Sequence, residues 1–160
     1  MKVVSDAGPL ITLSRAGYLR LLPALFGQVM ISPTIYTEVV QKGKKCRNVK
    51  EFEEASWLSV TEVMNKTALR LIAGHLDLGE AEAIVLAEEV SADLLLVDDL
   101  KARRFATLAG LRIGGTIMVV TVAMRQELLS EPPGVVLQNL KRAGMYLSDK
   151  VAEQLLGAKM

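Results

Sequence analysis

Leu94-Leu95-Leu96-Val97-Asp98-Asp99 is a run of four large apolar residues that ends in two acids and passes at once into a helical pattern. Near the N-terminus Val3-Val4-Ser5-Asp6 has the same form and runs into Gly8-Pro9-Leu10-Ile11. Short apolar strands that end in an acid and feed a helix are the units of parallel α/β sheets, which hold ligands in the crevice at the carboxyl ends of their strands. If the two strands are neighbours, Asp6, Asp98 and Asp99 converge there. Carboxylates that close repel one another unless a cation or protons neutralise them. A divalent-metal site is the economical reading.

Outward from these two strands the pattern keeps alternating. Strands are predicted at Lys2–Asp6, Val29–Ile31, Trp57–Val60, Leu94–Val97 and Leu111–Ile113, with helices between them. One helix opens at Pro9 and ends at Gly17, and a short one covers Tyr18–Leu25. Ser32-Pro33 starts another, as N-cap followed by proline at the first helical position. Further helices are read over Asn48–Ala55 and Lys66–Ala73. Asp77-Leu78-Gly79-Glu80 has the form of a capping box. It opens a helix to Val90 with Ala83, Leu86, Ala87 and Val90 as its apolar stripe. Asp99–Ala109 is the next helix. From Thr116 the chain reads as helices, broken at Pro132-Pro133, with Ser148 capping the last. The expected fold is a three-layer α/β/α domain with a small parallel central sheet. It fills residues 1–160, with a core over 1–115 and a helical extension over 116–160.

Composition narrows the function. The chain has 160 residues, enough for a sizeable core, and 51% are apolar but only 4% aromatic, so that core is aliphatic. Lys and Arg total 19 against 18 Asp and Glu, a net charge of +1, so any attraction to nucleic acid must be local. Cys46 is alone, which excludes an intrachain disulfide framework and a cysteine zinc cluster. No apolar stretch is long enough to span a bilayer, and Asp6 interrupts what would be a signal sequence. A cytoplasmic protein with no membrane partner is expected. No G-x-G-x-x-G, P-loop or G-x-S-x-G motif is present, which removes support for dinucleotide binding, P-loop nucleotide binding and a Ser-His-Asp hydrolase.

Each acid also has an ordinary role open to it. Asp6 suits the turn after the first strand, and Glu38 stands four residues before Lys42 as a surface ion pair. Either Asp98 or Asp99 can cap the following helix, which leaves the other without a structural duty. Glu80 and Glu82 point to nearly opposite sides of their helix. Glu80 has the capping box, so Glu82 is favoured as the inward carboxylate with Glu80 in reserve. An all-oxygen donor set without His or Cys selects Mg²⁺ or Mn²⁺ over zinc.

Val4-Ser5-Asp6-Ala7-Gly8-Pro9-Leu10-Ile11, Ile31-Ser32-Pro33 running to Glu38-Val39-Val40, Gly79-Glu80-Ala81-Glu82-Ala83-Ile84, and Val97-Asp98-Asp99 with Ala102-Arg103 together resemble the PIN-domain nucleases, in particular the VapC-like branch of prokaryotic toxin–antitoxin pairs. The resemblance runs in order over nearly the whole chain. It implies Mg²⁺- or Mn²⁺-dependent cleavage of RNA, a homodimer and a paired antitoxin protein. It puts Asp6, Glu38, Glu82 and an Asp at Asp98 or Asp99 where that family holds its acidic metal-binding residues, so that Asp6, Glu38, Glu82, Asp98 and Asp99 are the candidate catalytic residues and Asp6, Asp98, Asp99 and Glu82 the candidate metal ligands. The chain departs from the toxins in having Glu where the third acid is usually Asp, and an adjacent Asp98-Asp99 pair where they carry Thr or Ser and a later Asp.

Around this quartet, Ser5 and Thr116 are candidates for orienting carboxylates or water. Lys42, Lys44, Lys45 and Arg47, in the one strongly basic stretch, are candidate phosphate contacts, as are Lys101 and Arg103. The competing function is a non-catalytic module of the same fold that binds RNA or a protein partner.

Overall fold

The computed structural model describes residues 1–41 and 49–157. Five short strands, β1 (Val3–Ser5), β2 (Val29–Ile31), β3 (Leu58–Val60), β4 (Leu94–Leu96) and β5 (Ile113–Gly114), form one sheet in the order β3-β2-β1-β4-β5. Every neighbouring pair is parallel. Parallel neighbours need crossovers long enough to reverse the chain, and helices supply them. These are α1 (Ala7–Ala16), α2 (Leu21–Phe26), α3 (Pro33–Gln41), α4 (Lys50–Glu53), α5 (Lys66–Ile72), α6 (Leu78–Glu89) and α7 (Leu100–Leu108). The C-terminal part adds α8 (Thr116–Arg125), α9 (Pro133–Arg142) and α10 (Asp149–Leu156). The result is the expected α/β architecture, a parallel sheet flanked by helices.

The central strands are mostly apolar because both faces of the sheet are covered there, whereas the edge strand β3 is partly exposed. Val3, Val4, Ile31, Leu95 and Leu96 are all buried. Helix α6 is more central than a single apolar stripe implies. Ala81, Ile84 and Val85 are buried together with Ala83, Leu86 and Ala87, because α6 lies on β1 and β4 with α3, α5 and α7 beside it. A helix apolar on nearly all sides is a core helix. Helix α8 packs on α1, α2 and β5, α9 on α1, and α10 on α9. Val119, Val120, Met124, Val136, Leu140 and Leu155 thereby join the same apolar cluster as the sheet.

Several boundaries move for local reasons. Helix α1 opens at Ala7 rather than at Pro9, since a proline is tolerated anywhere in a first turn whose N–H groups have no intrahelical partner. It ends where Gly17 adopts φ 83°, and the N–H of Tyr18 reaches back to the Leu13 carbonyl, so Tyr18 closes α1 instead of opening α2. The last strand sits at Ile113–Gly114 because the N–H of Leu111 is used on the Ala106 carbonyl at the end of α7. Among the described residues no helix is long and apolar enough to cross a membrane.

Candidate active site

The sheet order contains a reversal. From β1 the chain builds β2 and then β3 to one side, and later returns to place β4 and β5 on the other. Crossovers leaving in opposite directions open a crevice at the carboxyl ends of the two central strands. In β1 and β4, Ser5 is opposite Leu96, and the Asp6 N–H donates to the Leu96 carbonyl at 2.9 Å. Asp6 and the Val97-Asp98 segment therefore leave the sheet side by side, at its switch point.

Asp6 is the N-cap residue of α1, yet its side chain makes no capping bond to the helix. It is only 7% exposed. Burial pushes its carboxyl up to about 7; the Ala7 N–H partly offsets this, while the charges of Asp77, Glu38 and Asp98 push the same way as burial. A group that must ionise against three like charges is poised to take up either a proton or a cation. Ser5 beside it is fully buried, and its hydroxyl donates to the Asp6 carbonyl at 2.8 Å, so it braces the backbone.

Asp98 and Asp99 divide their duties. Asp99 caps α7, accepting from the Ala102 N–H at 3.0 Å. Asp98 crosses to the start of α8: its Oδ1 accepts from the Thr116 N–H at 2.8 Å and its Oδ2 from the Thr116 hydroxyl at 2.6 Å. Thr116 is fully buried, so this clamp holds the carboxylate in one orientation. Both acids thus have structural partners, one more than capping alone explains. Gly115 makes the clamp possible. A Cβ there would stand 2.5 Å from Asp98 Oδ1 and 3.3 Å from the Val97 carbonyl oxygen. Arg103 donates to that same carbonyl at 2.8 Å and does not bridge a carboxylate through this bond.

The third wall is the start of α6. Asp77 caps it, accepting from the Glu80 N–H at 2.8 Å. Only half of the expected capping box forms, because the Glu80 side chain turns to the Asp77 carboxylate. Glu80 is pushed up to about 8, first by burial, then by the hydrogen bond to Asp77 and the charges of Asp77, Asp99 and Asp6. Glu80, the carboxylate held in reserve, is thus within electrostatic reach of Asp6. Glu82 follows on α6 with its Oε2 buried and without a hydrogen-bond partner, and Glu80 Oε2 is in the same condition. Glu38, on α3, reaches the same helix end: a Cβ on Gly79 would be 3.0 Å from its Oε1. Asp77 was legible in the sequence only as a cap; that its charge also faces Asp6 depends on α6 lying over β1.

Six carboxylates from four segments therefore act on one another at the switch point: Asp6, Glu38, Asp77, Glu80, Asp98 and Asp99. Among the described residues no three His, Cys, Asp or Glu side chains stand close enough to ligate one ion together. The donor chemistry nevertheless fits a small hard cation. Mg²⁺ keeps most of its water and is commonly held by only one or two carboxylates. The buried Oε2 atoms of Glu80 and Glu82 are acceptors in need of a donor or a charge.

Of the predicted basic contacts, Lys42, Lys44, Lys45 and Arg47 lie outside the described residues. Lys101 is exposed at the start of α7, and Arg103 lines a cleft that also contains Asp98. Tyr18 is packed in the core with its hydroxyl accepting from Asn139.

The sequence model of one protein family, described as DUF3368: PIN domain, matches residues 2–159. No curated protein and no solved structure gives a match.

Proposed function

The chain belongs to the PIN-domain family, whose members are generally nucleases, and on that premise we propose that it is a metal-dependent endoribonuclease and the toxin of a toxin–antitoxin pair. The observation that carries this reading is Asp6: a buried carboxyl at the switch point, without a capping bond, with Glu38, Asp77 and Asp98 raising its proton affinity. Such a group is costly to the fold, and a bound cation would relieve the cost.

Asp6 and Asp98 are the principal ligands in this scheme. Asp99, Glu38, Glu82 and Glu80 complete the pocket directly or through water. Mg²⁺ or Mn²⁺, when bound, supplies the charge that activates an attacking water and stabilises the leaving oxygen of a phosphodiester. The protein's own part is positional. Thr116 holds both oxygens of Asp98 and so fixes the carboxylate in one orientation at the crevice. Ser5 fixes the backbone from which Asp6 projects. Glu80, whose carboxyl is pushed up to about 8 by burial and by its hydrogen bond to Asp77, holds a proton more readily than an ordinary carboxyl, which lowers the negative charge facing the substrate. Lys101, Arg103 and the basic stretch from Lys42 to Arg47 would meet the phosphates. An antitoxin protein and a second copy of the chain are the protein partners that this reading assigns.

A second reading, a non-catalytic RNA- or protein-binding module, draws on the engagement of both Asp98 oxygens by Thr116. Cleavage assays decide between the two. The parent chain with Mg²⁺ or Mn²⁺ should cut single-stranded RNA, and Asp6→Asn and a chelator should abolish cutting to the same extent. Tight RNA binding with no cutting under either metal would install the module instead.

A further inference from the structure

A cleft of about 600 Å³ opens between α7, β5, α8 and α10, and it shares Asp98 with the acidic crevice. Its lining includes apolar side chains, among them Ile117 and Met118 from α8 and Met145 from the α9–α10 loop, together with Arg103 and Arg125. Tyr146 lines it as well and is 91% exposed, while its neighbours Met145 and Leu147 pack against the core. A large aromatic is thus displayed outward on a loop pinned from both sides. Gly144, at φ 97°, makes the turn that brings the chain out of α9 to that position.

We propose that this cleft receives an unpaired base of the RNA next to the scissile phosphate, with Tyr146 as its stacking platform. Apolar lining side chains, one exposed aromatic and two guanidiniums in the same cleft match a nucleotide: base against ring and methyl groups, phosphates against arginine. Among the described residues Arg103 commits one N–H, to the Val97 carbonyl, out of five that a guanidinium carries. A purely apolar protein segment would make no use of two arginines, and it would not need a wall shared with the carboxylates. Tyr146 is on this account a specificity-determining residue, remote from the reacting atoms. The inference rests on the ribonuclease reading and adds to it the place where the substrate is read.

The test uses the full chain carrying Asp6→Asn, so that RNA persists, and measures fluorescence anisotropy with a labelled uridine 8-mer. Adding Tyr146→Ala should weaken binding roughly 5- to 150-fold, the range for loss of one base–aromatic stack. Tyr146→Phe should bind like Tyr146. A baseless sugar-phosphate 8-mer should not distinguish the Ala variant from the parent. Equal affinity of the Ala variant for the uridine 8-mer would overturn the base site and leave the ribonuclease reading standing. No binding of either 8-mer by any variant would overturn both. Loss of self-association in the Ala variant, read by sedimentation with RNA binding unchanged, would overturn the base site by assigning Tyr146 to contact with a second copy.

Discussion

Asp6 and Glu80 carry protons at pH values where ordinary carboxyls do not, at about 7 and about 8 respectively. Both folded values are raised above the unfolded ones, so between roughly pH 4 and pH 8 the folded chain binds more protons than the unfolded chain. Stability is then fully present below the unfolded values and is lost as pH rises through the folded ones. Without divalent ions, the melting temperature should fall from pH 5 to pH 8. Asp6→Asn removes the better buried of the two contributions. A carboxyl whose proton affinity rises tenfold on folding costs the charged state ~1.4 kcal/mol, so the gain at pH 8 should be a few kcal/mol, or several degrees, with a smaller gain at pH 5. Calorimetry at the two pH values checks this, and a flat profile in the parent would mean that the Asp6 carboxyl is not held among like charges. Asp98 makes a sharper contrast. Asp98→Asn can keep both bonds to Thr116, its oxygen accepting from the N–H and its amide donating to the hydroxyl, whereas Asp98→Ala leaves buried donors unpaired. We expect urea denaturation to show the Ala change costing ~1–3 kcal/mol and the Asn change much less, while both lose cleavage.

Helix ends build the site, and several helices of the chain are capped by a short polar side chain. Ser32 accepts from the Ile35 N–H in α3, Asp77 caps α6, Asp99 caps α7 and Ser148 caps α10. The two caps that are carboxylates stand beside Asp6 and Asp98, so the same oxygens that satisfy helix N–H groups also charge the crevice. Capping and metal binding can be separated by substitution. Asp99→Ser retains a cap oxygen and should leave thermal stability within a few tenths of a kcal/mol of the parent, while Asp99→Ala should cost about 1 kcal/mol. If Asp99 is only a cap, cleavage will follow stability; a fall in cleavage for the Ser variant at full stability would assign it to the ion. The entry to α8 is limited by space, not by backbone conformation. Gly115 has an extended backbone that any residue adopts, but a Cβ there would press on Asp98 and the Val97 carbonyl oxygen. Gly115→Ala should therefore dislodge the clamp, destabilising the chain by ~1–3 kcal/mol in urea titrations and lowering cleavage with it.

The whole molecule is one sheet whose central strands carry the acids and whose helices bring further acids to the same end. An arrangement that gathers negative charge should be stabilised by whatever neutralises it. Mg²⁺ well above its dissociation constant should raise the melting temperature of the parent, since an ion that binds only the folded chain stabilises it in proportion to the logarithm of its concentration. Asp6→Asn should lose that rise. A parent whose melting temperature ignores Mg²⁺ and Mn²⁺ up to millimolar concentrations would contradict the ligand set.

The strands, their parallel sense and the helix caps were legible because each follows from short stretches of chain and from the alternation of strands with helices. Apolar runs of three or four residues, Ser32-Pro33, Asp77 and Ser148 all signal through neighbours within one turn of chain. The resemblance of the acidic segments pointed to the family for the same reason: each motif is contiguous. What the sequence could not decide is how those segments meet. Whether Glu80 or Glu82 turns toward Asp6 depends on the rotation of α6 over β1 and β4, and periodicity was a weak guide there because nearly every side of that helix is buried. That Asp98 is held by Thr116 depends on a contact 18 residues away, across the end of β5. The cleft that Tyr146 lines is assembled from α7, β5, α8 and α10, which no local pattern places together. Local chemistry determined the elements; burial, which sums contributions from distant parts of the chain, decided which of their polar groups face one another.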